Sequence, residues 1–332
     1  MNYSEKEIEE VLNKYKLTED EHKKYYEVIK RLWTADQYPV ENPIAVIIGG
    51  QTGAGKSGLI SYSQKMFPDN NVVIINSDEI KPFHPYGEEI AKKYPELYTK
   101  VTDQESNTWT SKLFEDVRNE KYNLIFEGTM KNNRIADEAI PILQGLGYTV
   151  VVRGLAVSGL ESRLSIHERY EGQVKHKGWG RLVVPEHHNQ TFNGMPNTIE
   201  YIEQNGRYDV LEIYTRGKTP DMPVLKYANH NKNTIEKTSQ VLKNKNFITK
   251  ESQKNNYINA KDSILKVREE NEEQIIDDCK ERFAAIINSM NDRNASKSEK
   301  EQLLELLELY NNTNEKVKKK DYMNKIVDDE ER

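Results

Sequence analysis

The 332-residue sequence contains a single cysteine, Cys279. That excludes an internal disulfide framework and any thiolate cluster for a metal, and the plain role of a small, half-buried residue on a helix suits it better than a catalytic one. No apolar run approaches the length needed to cross a bilayer, and the opening MNYSEKEIEE lacks the basic and apolar regions of a secretory signal. The chain therefore reads as soluble and cytoplasmic, with no membrane partner. A basic excess is missing too: 54 acidic residues face 48 Lys and Arg, a net charge of −6, which argues against a general nucleic-acid binder. The most informative absence is one-sided. No proline, glycine or tryptophan follows Pro223; a compact α/β domain needs tight turns and a helical array does not, so the architecture changes near residue 220.

What is present begins with residues 44–59, IAVIIGGQTGAGKSGL. An apolar, β-branched run feeds the pattern G-x-x-x-x-G-K-[ST], filled here by Gly50, Gly53, Gly55, Lys56 and Ser57. A buried strand ends, glycines let the backbone curl so that successive N–H groups face a polyphosphate, and a helix N-terminus adds its partial positive charge. Lys56 would reach the β- and γ-phosphates and Ser57 would ligate Mg²⁺. The preceding strand and the amphipathic SGLISYSQKMF that follows set this apart from a chance glycine-rich turn.

Strand-like runs at 44–48, 72–75, 123–126, 149–157 and 209–214 alternate with helical patterns near 57–67, 106–120, 132–145, 159–175 and 196–205. This is the signature of a doubly wound parallel sheet with helices on both faces, an α/β fold of the P-loop kinase kind. Residues 1–40 form an N-terminal helical segment of two short helices, each opened by Ser or Thr with acids in the first turn. They pack on the edge of the core or bind a partner. Residues 41–220 form the P-loop domain and residues 221–332 an all-helical C-terminal extension. There KYANHNKNTIEKTSQVLKNKNF is polar and indistinct. Ile264, Val267, Ile275, Ile276, Cys279, Phe283, Ile286 and Ile287 recur at largely helical spacing, and SEKEQLLELLELYNN opens with a capping pattern from Ser298 to Gln302. The plain reading of these helices is an appendage or oligomerisation arm.

A phosphate loop does not distinguish a motor, a switch and a kinase; polar residues at the carboxyl ends of the other strands do. After the second strand, in NSDEIK, Asp78 is placed to accept a proton from a hydroxyl nucleophile or, equally, to cap the next helix. After the third, in FEGT, Glu127 would orient a sugar hydroxyl or hold Mg²⁺ through water, Gly128 allows close approach, and Thr129 offers a hydroxyl or a helix cap. Further on, SRLSIHERYEGQVKHKGWGRLVVP reads as a helix running into a glycine-containing loop. Arg169 and Arg181 there are candidates to neutralise a transferring phosphoryl group, though most arginines on such a helix are merely solvated or paired. No [NT]-K-x-D guanine-reading motif occurs, and no apolar run passes straight into Asp-Glu as in a motor ATPase. A kinase of a small hydroxyl acceptor fits best.

The ordered set GGQTGAGKS, NSDEIK, FEGT, HERYE and Arg181 resembles the zeta toxin family over roughly residues 40–217. The resemblance implies an ATP- or GTP-dependent, Mg²⁺-requiring kinase that phosphorylates the 3′-hydroxyl of the sugar in UDP-N-acetylglucosamine and acts as the toxin of a toxin–antitoxin system. It gives Lys56 and Ser57 the nucleotide phosphates and Mg²⁺, Asp78 the role of base, Glu127 and Thr129 the aminosugar, and Arg169 and Arg181 the phosphoryl group in flight. Ser57 stands where the family often has Thr; either hydroxyl can ligate Mg²⁺. The long helical C-terminus has no counterpart in the minimal family domain, and a small helical antitoxin is the implied partner. One hypothesis makes the C-terminal helices an in-cis blocker of the nucleotide site or a recruiter of that partner. The alternatives are a P-loop kinase of another small acceptor and a nucleotide-dependent interaction module with a helical tail.

Overall fold

The computed structural model describes residues 3–231 and 257–330. At its centre is a six-stranded sheet built from β1 (Ile44–Gly49), β2 (Val73–Ile75), β3 (Leu124–Glu127), β4 (Thr149–Leu155), β5 (Val210–Thr215) and β6 (Val224–His230), in the order β2-β3-β1-β4-β5-β6. The first five are parallel, as their near-continuous apolar sequences require of strands covered on both faces. β6 is antiparallel to β5. It occupies the opening of the stretch read as indistinct, where alternation is too weak to announce a strand, and residues 232–247 of that stretch lie outside the described residues.

Around the sheet run α1 (Glu5–Lys14), α2 (Glu19–Thr34), α3 (Lys56–Gln64), α4 (Ser77–Ile80), α5 (Gly87–Lys93), α6 (Tyr98–Asn119), α7 (Ile140–Gly145), α8 (Gly159–Lys177), α9 (Pro185–Gln204), α10 (Ala260–Asp292) and α11 (Lys297–Glu330). α6 begins eight residues earlier than the expected 106 and α9 eleven earlier than 196, because Pro196 sits inside the longer helix instead of opening it. α7 is entered through a π turn at Ile135–Ala139. Ser4 with Glu7 and Thr18 with Glu21 form reciprocal capping boxes on α1 and α2. The capping pair of α11 is Ser296 with Glu299, two residues before the expected Ser298, so that the Glu falls at the third helical position where it can reach back.

One large core holds Tyr26 and Ile29 of α2, Ala45 and Ile47 of β1, Trp109 and Leu113 of α6 and, unexpectedly for an appendage, Ala260, Ile264 and Val267 of α10. Farther along, α10 and α11 pack with Leu160 and Leu164 of α8 around Cys279, Phe283, Ile286 and Leu306. Cys279 is fully buried, not half-buried. The sequence order of the strands sends the connection from β1 one way and that from β3 the other, so the switch point lies between these neighbours, at the ends where Ile48 pairs with Glu127. Ligands of open α/β sheets bind at such a point.

Candidate active site

β1 ends at Gly49, and the chain turns through residues 50–55 before α3 opens at Lys56. Gly53 and Gly55 have φ of 80° and 91°, and a Cβ at Gly53 would lie 2.1 Å from the Ser162 carbonyl oxygen of α8. Both the backbone and the neighbouring helix therefore require glycine there. Cations hold the loop's carbonyls: Lys56 Nζ donates to Gly50 O at 3.0 Å and Gln51 O at 3.3 Å. Arg216, just past β5, donates from Nε to Ala54 O at 2.9 Å and from Nη2 to Gly53 O. Its Nη1 is held by Glu161 Oε1 at 2.9 Å. The first turn of α3, like every helix start, presents N–H groups without intrahelical partners, which suits an anion.

A cavity of about 500 Å³ opens over this loop. Lys56, Ser57, Asp78, Glu127, Thr129, Arg169 and Arg181 all line it, together with Gly53 and Gly55; Gly50 sits behind, as the acceptor of the Lys56 ammonium. Residues more than 120 positions apart in sequence are thus brought to one wall. Asn76 caps α4 by accepting from Asp78 N at 2.9 Å, so Asp78 is not the cap and its carboxylate is left to face the cavity. Asp78 Oδ1 is 2.6 Å from Arg181 Nη1 and 2.7 Å from Lys81 Nζ. Burial alone would raise its pKa, but the two cations outweigh that and hold the carboxyl well below the usual carboxylate range.

Glu127 lies beside this pair. Its Oε2 accepts from Asn76 Nδ2 at 2.6 Å and its Oε1 is 3.4 Å from Lys56 Nζ. Burial pushes its pKa up; Lys56 opposes the push, and the nearby Asp78 and Glu79 reinforce it. Gly128 N donates to Ile48 O at 2.9 Å, tying the turn after β3 to β1 and setting Thr129 at the cavity. α8 ends at Gly178, whose φ of 76° makes the left-handed stop that sends the chain back toward the site. Gln173 then accepts from the Arg181 amide at 2.8 Å, which fixes where its side chain starts. Arg169, on the exposed side of α8, faces the cavity and donates to no protein group among the described residues.

Several lining residues escape a reading of the sequence. Lys81 is 5% exposed and bridges Asp78 to Asp103 Oδ1 at 2.8 Å; it ends the NSDEIK motif, which was its signal. Asp103 and Asn107 come from the middle of α6, and His187 from the start of α9, where nothing in the sequence announces them. Arg216 follows a strand's carboxyl end, the same position that points to Glu127. Among the described residues, none of α10 or α11 lines the cavity. The hypothesis of an in-cis blocker gains no support from this placement: the described parts of these helices pack against α8 and into the cores.

Among the described residues no group of three or more carboxylates, histidines or cysteines could hold a metal by itself, and no helix is long and apolar enough to cross a membrane. The Zeta toxin family model matches residues 30–223. The chain is 30% identical over 189 residues to Toxin zeta of Streptococcus agalactiae, covering 57% of this chain and 65% of that protein. It is 29% identical over 180 residues to Toxin zeta of Streptococcus pyogenes, covering 53% and 62%. It thus spans less than two thirds of the length of these relatives. Against Toxin PezT of Streptococcus pneumoniae serotype 4 it is 28% identical over 180 residues, covering 54% and 71%. A solved structure from the PezAT chromosomal toxin–antitoxin system of Streptococcus pneumoniae superposes with a TM-score of 0.56 at 22% identity, covering 79% of this chain and 98% of that one. At that identity the likeness speaks for the fold alone, and its extent exceeds residues 1–223, so it reaches into the chain after Pro223. The family match takes in β1 through β5 and every residue named on the cavity wall, and on that match the chain belongs to the zeta toxin family.

Proposed function

We propose that the protein is a kinase that transfers the γ-phosphate of ATP or GTP to the 3′-hydroxyl of UDP-N-acetylglucosamine, and that it serves as the toxin of a toxin–antitoxin pair whose helical antitoxin is its protein partner. The observation that carries the chemistry is the convergence on one cavity of a phosphate loop, a low-pKa carboxylate and two arginines from separate elements. The relatives' names, Toxin zeta and Toxin PezT, support the toxin role.

Phosphoryl transfer asks the protein mainly to align the acceptor and to neutralise spreading charge. Lys56 and the start of α3 hold the β- and γ-phosphates, while Arg169, without an ion-pair partner among the described residues, and Arg181 face the group in transit. Asp78 stays ionised, so it accepts a hydrogen bond from the acceptor hydroxyl, orients it, and takes its proton late, as a weak base suits a loose transition state. Glu127 and Thr129 hold the aminosugar. The donor set fits Mg²⁺ carried in by the nucleotide: Ser57 is exposed at the cavity with carboxylates nearby, and Mg²⁺ is commonly held by one or two protein oxygens plus phosphates. Bound there, it would neutralise β- and γ-phosphate charge.

The test is a product assay with the full chain, Mg²⁺, ATP and UDP-N-acetylglucosamine. Wild type should form a phosphorylated nucleotide sugar, and Asp78→Ala and Lys56→Ala should each lower the rate by about a hundredfold or more with the fold intact. Slow hydrolysis indifferent to added sugar would instead identify a nucleotide-dependent module, and near-normal turnover by Asp78→Ala would remove it as the base.

A further inference from the structure

Gln51, the second residue of the phosphate loop, turns its side chain away from the cavity and is wholly buried. Its Nε2 donates to Val157 O at 2.7 Å and lies 3.4 Å from Ser162 Oγ. Ser162 Oγ shares a 2.8 Å hydrogen bond with His188 Nε2 of α9, an imidazole that burial, the main cause, pushes down to about 4 and so keeps neutral. The remaining polar atom of the Gln51 amide, Oε1, accepts from Arg268 Nη2 at 3.2 Å. Arg268 comes from α10, 217 residues away in sequence.

Arg268 is an expensive residue to place there. It is 5% exposed, has no carboxylate within ion-pair distance among the described residues, and its Nε has no partner. Its guanidinium lies 3.9 Å above the Phe192 ring, and Nη1 donates to Phe192 O at 2.9 Å. Glu272, one turn on, favours its charge only from beyond ion-pair distance, and a buried cation so weakly compensated works against stability, so packing does not explain it. The fork geometry of arginine does: one terminal nitrogen grips the α9 backbone and the other grips the loop, with the ring as a platform, which no lysine can reproduce. Asn271, about one turn on, donates to Thr215 Oγ1 at 2.8 Å, next to the loop clamp Arg216.

We infer that Arg268 is a positioning residue for nucleotide binding: through Gln51 it fixes the conformation of the phosphate loop, so that α10 is a working part of the nucleotide site and not an appendage. This rests on the phosphate-loop reading above. It predicts an effect on the nucleotide and not on the acceptor, because Gln51 is a phosphate-loop residue and neither side chain lies on the wall that carries Glu127 and Thr129.

The experiment measures Mg·ATP affinity by calorimetry, and turnover, for full-length wild type, Arg268→Met, Gln51→Met and the double variant, with Arg268→Lys as a milder change and Ile264→Val as a control for destabilised α10 packing. Arg268→Met and Gln51→Met should each weaken nucleotide binding by about tenfold, the double variant no more than either alone, since linked residues are non-additive. The acceptor KM should stay put, and Ile264→Val should bind nucleotide as wild type does. If Arg268→Met is too unstable to purify, Arg268→Lys carries the same prediction, with a smaller loss. Wild-type affinity in a folded Arg268 variant, additive losses in the double variant, or an equal loss in Ile264→Val would each overturn the inference. Absence of Mg·ATP binding by wild type would instead remove the phosphate-loop reading on which it stands.

Discussion

Glu127 and Asp78 share one wall, yet their surroundings drive them apart: two cations depress Asp78, while burial raises Glu127. On acidification Glu127 therefore takes up a proton first and loses its pairing with Lys56, while Asp78 is still ionised. The acid-side fall in turnover is expected to belong to Glu127. Glu127→Gln, which cannot titrate, should move that limb to lower pH; a pH–rate profile matching wild type would place the titrating group elsewhere. Asp78 and Glu127 were legible as candidates because chemistry and position coincide in them, a polar side chain at or just past the end of an apolar run; Arg169 and Arg181, on a helix and the loop after it, carried no such mark. Lys81 and Arg216 satisfy the same rule one step further out. Asp103 and Asn107 do not, because they sit mid-helix and only the packing of α6 turns them to the cavity. Arg268 did leave a trace, falling one turn after Ile264 and beside Val267 on the apolar stripe of α10, where a charge is out of place.

At the scale of elements, the strands were read to within about two residues because parallel strands buried on both faces have sequences that say so. β6, an edge strand with intermediate burial along most of its length, carries no such mark. The C-terminal helices were legible as helices, but their docking was not, since apolar periodicity gives a face without naming what covers it. What covers it here is α8, the helix that carries Arg169. Phe283 of α10 is 4% exposed and meets Tyr310 of α11 edge-on at 5.5 Å between centroids. Phe283→Ala should therefore cost about 3–5 kcal/mol, read as a lower urea midpoint for the whole protein. A loosely tethered arm would instead leave the main transition unmoved and lose only a separate early one.

For the whole molecule, composition put the change of architecture near Pro223 and made all of 221–332 helical, which is wrong for β6 and misses the unity of what lies on either side. β6 adds to the sheet after that point, and Ala260, Ile264 and Val267 complete the main core. A chain ended after residue 231 would expose that apolar surface and lack the Arg268 contact. It should be poorly soluble and at least about tenfold weaker in nucleotide binding than the full chain. A soluble, more active fragment would return the helices to the role of a blocker. The separation of Gln51 from Arg268 also has a meaning in time. Proteins emerge from synthesis N-terminus first, at about 5–20 residues per second, so the 217 residues between the two partners amount to roughly ten to forty seconds. Throughout that interval the nascent chain owns a complete phosphate-loop sequence and lacks the arginine that sets it. On that inference, nucleotide binding reaches full strength only once residue 268 of the 332 has been made.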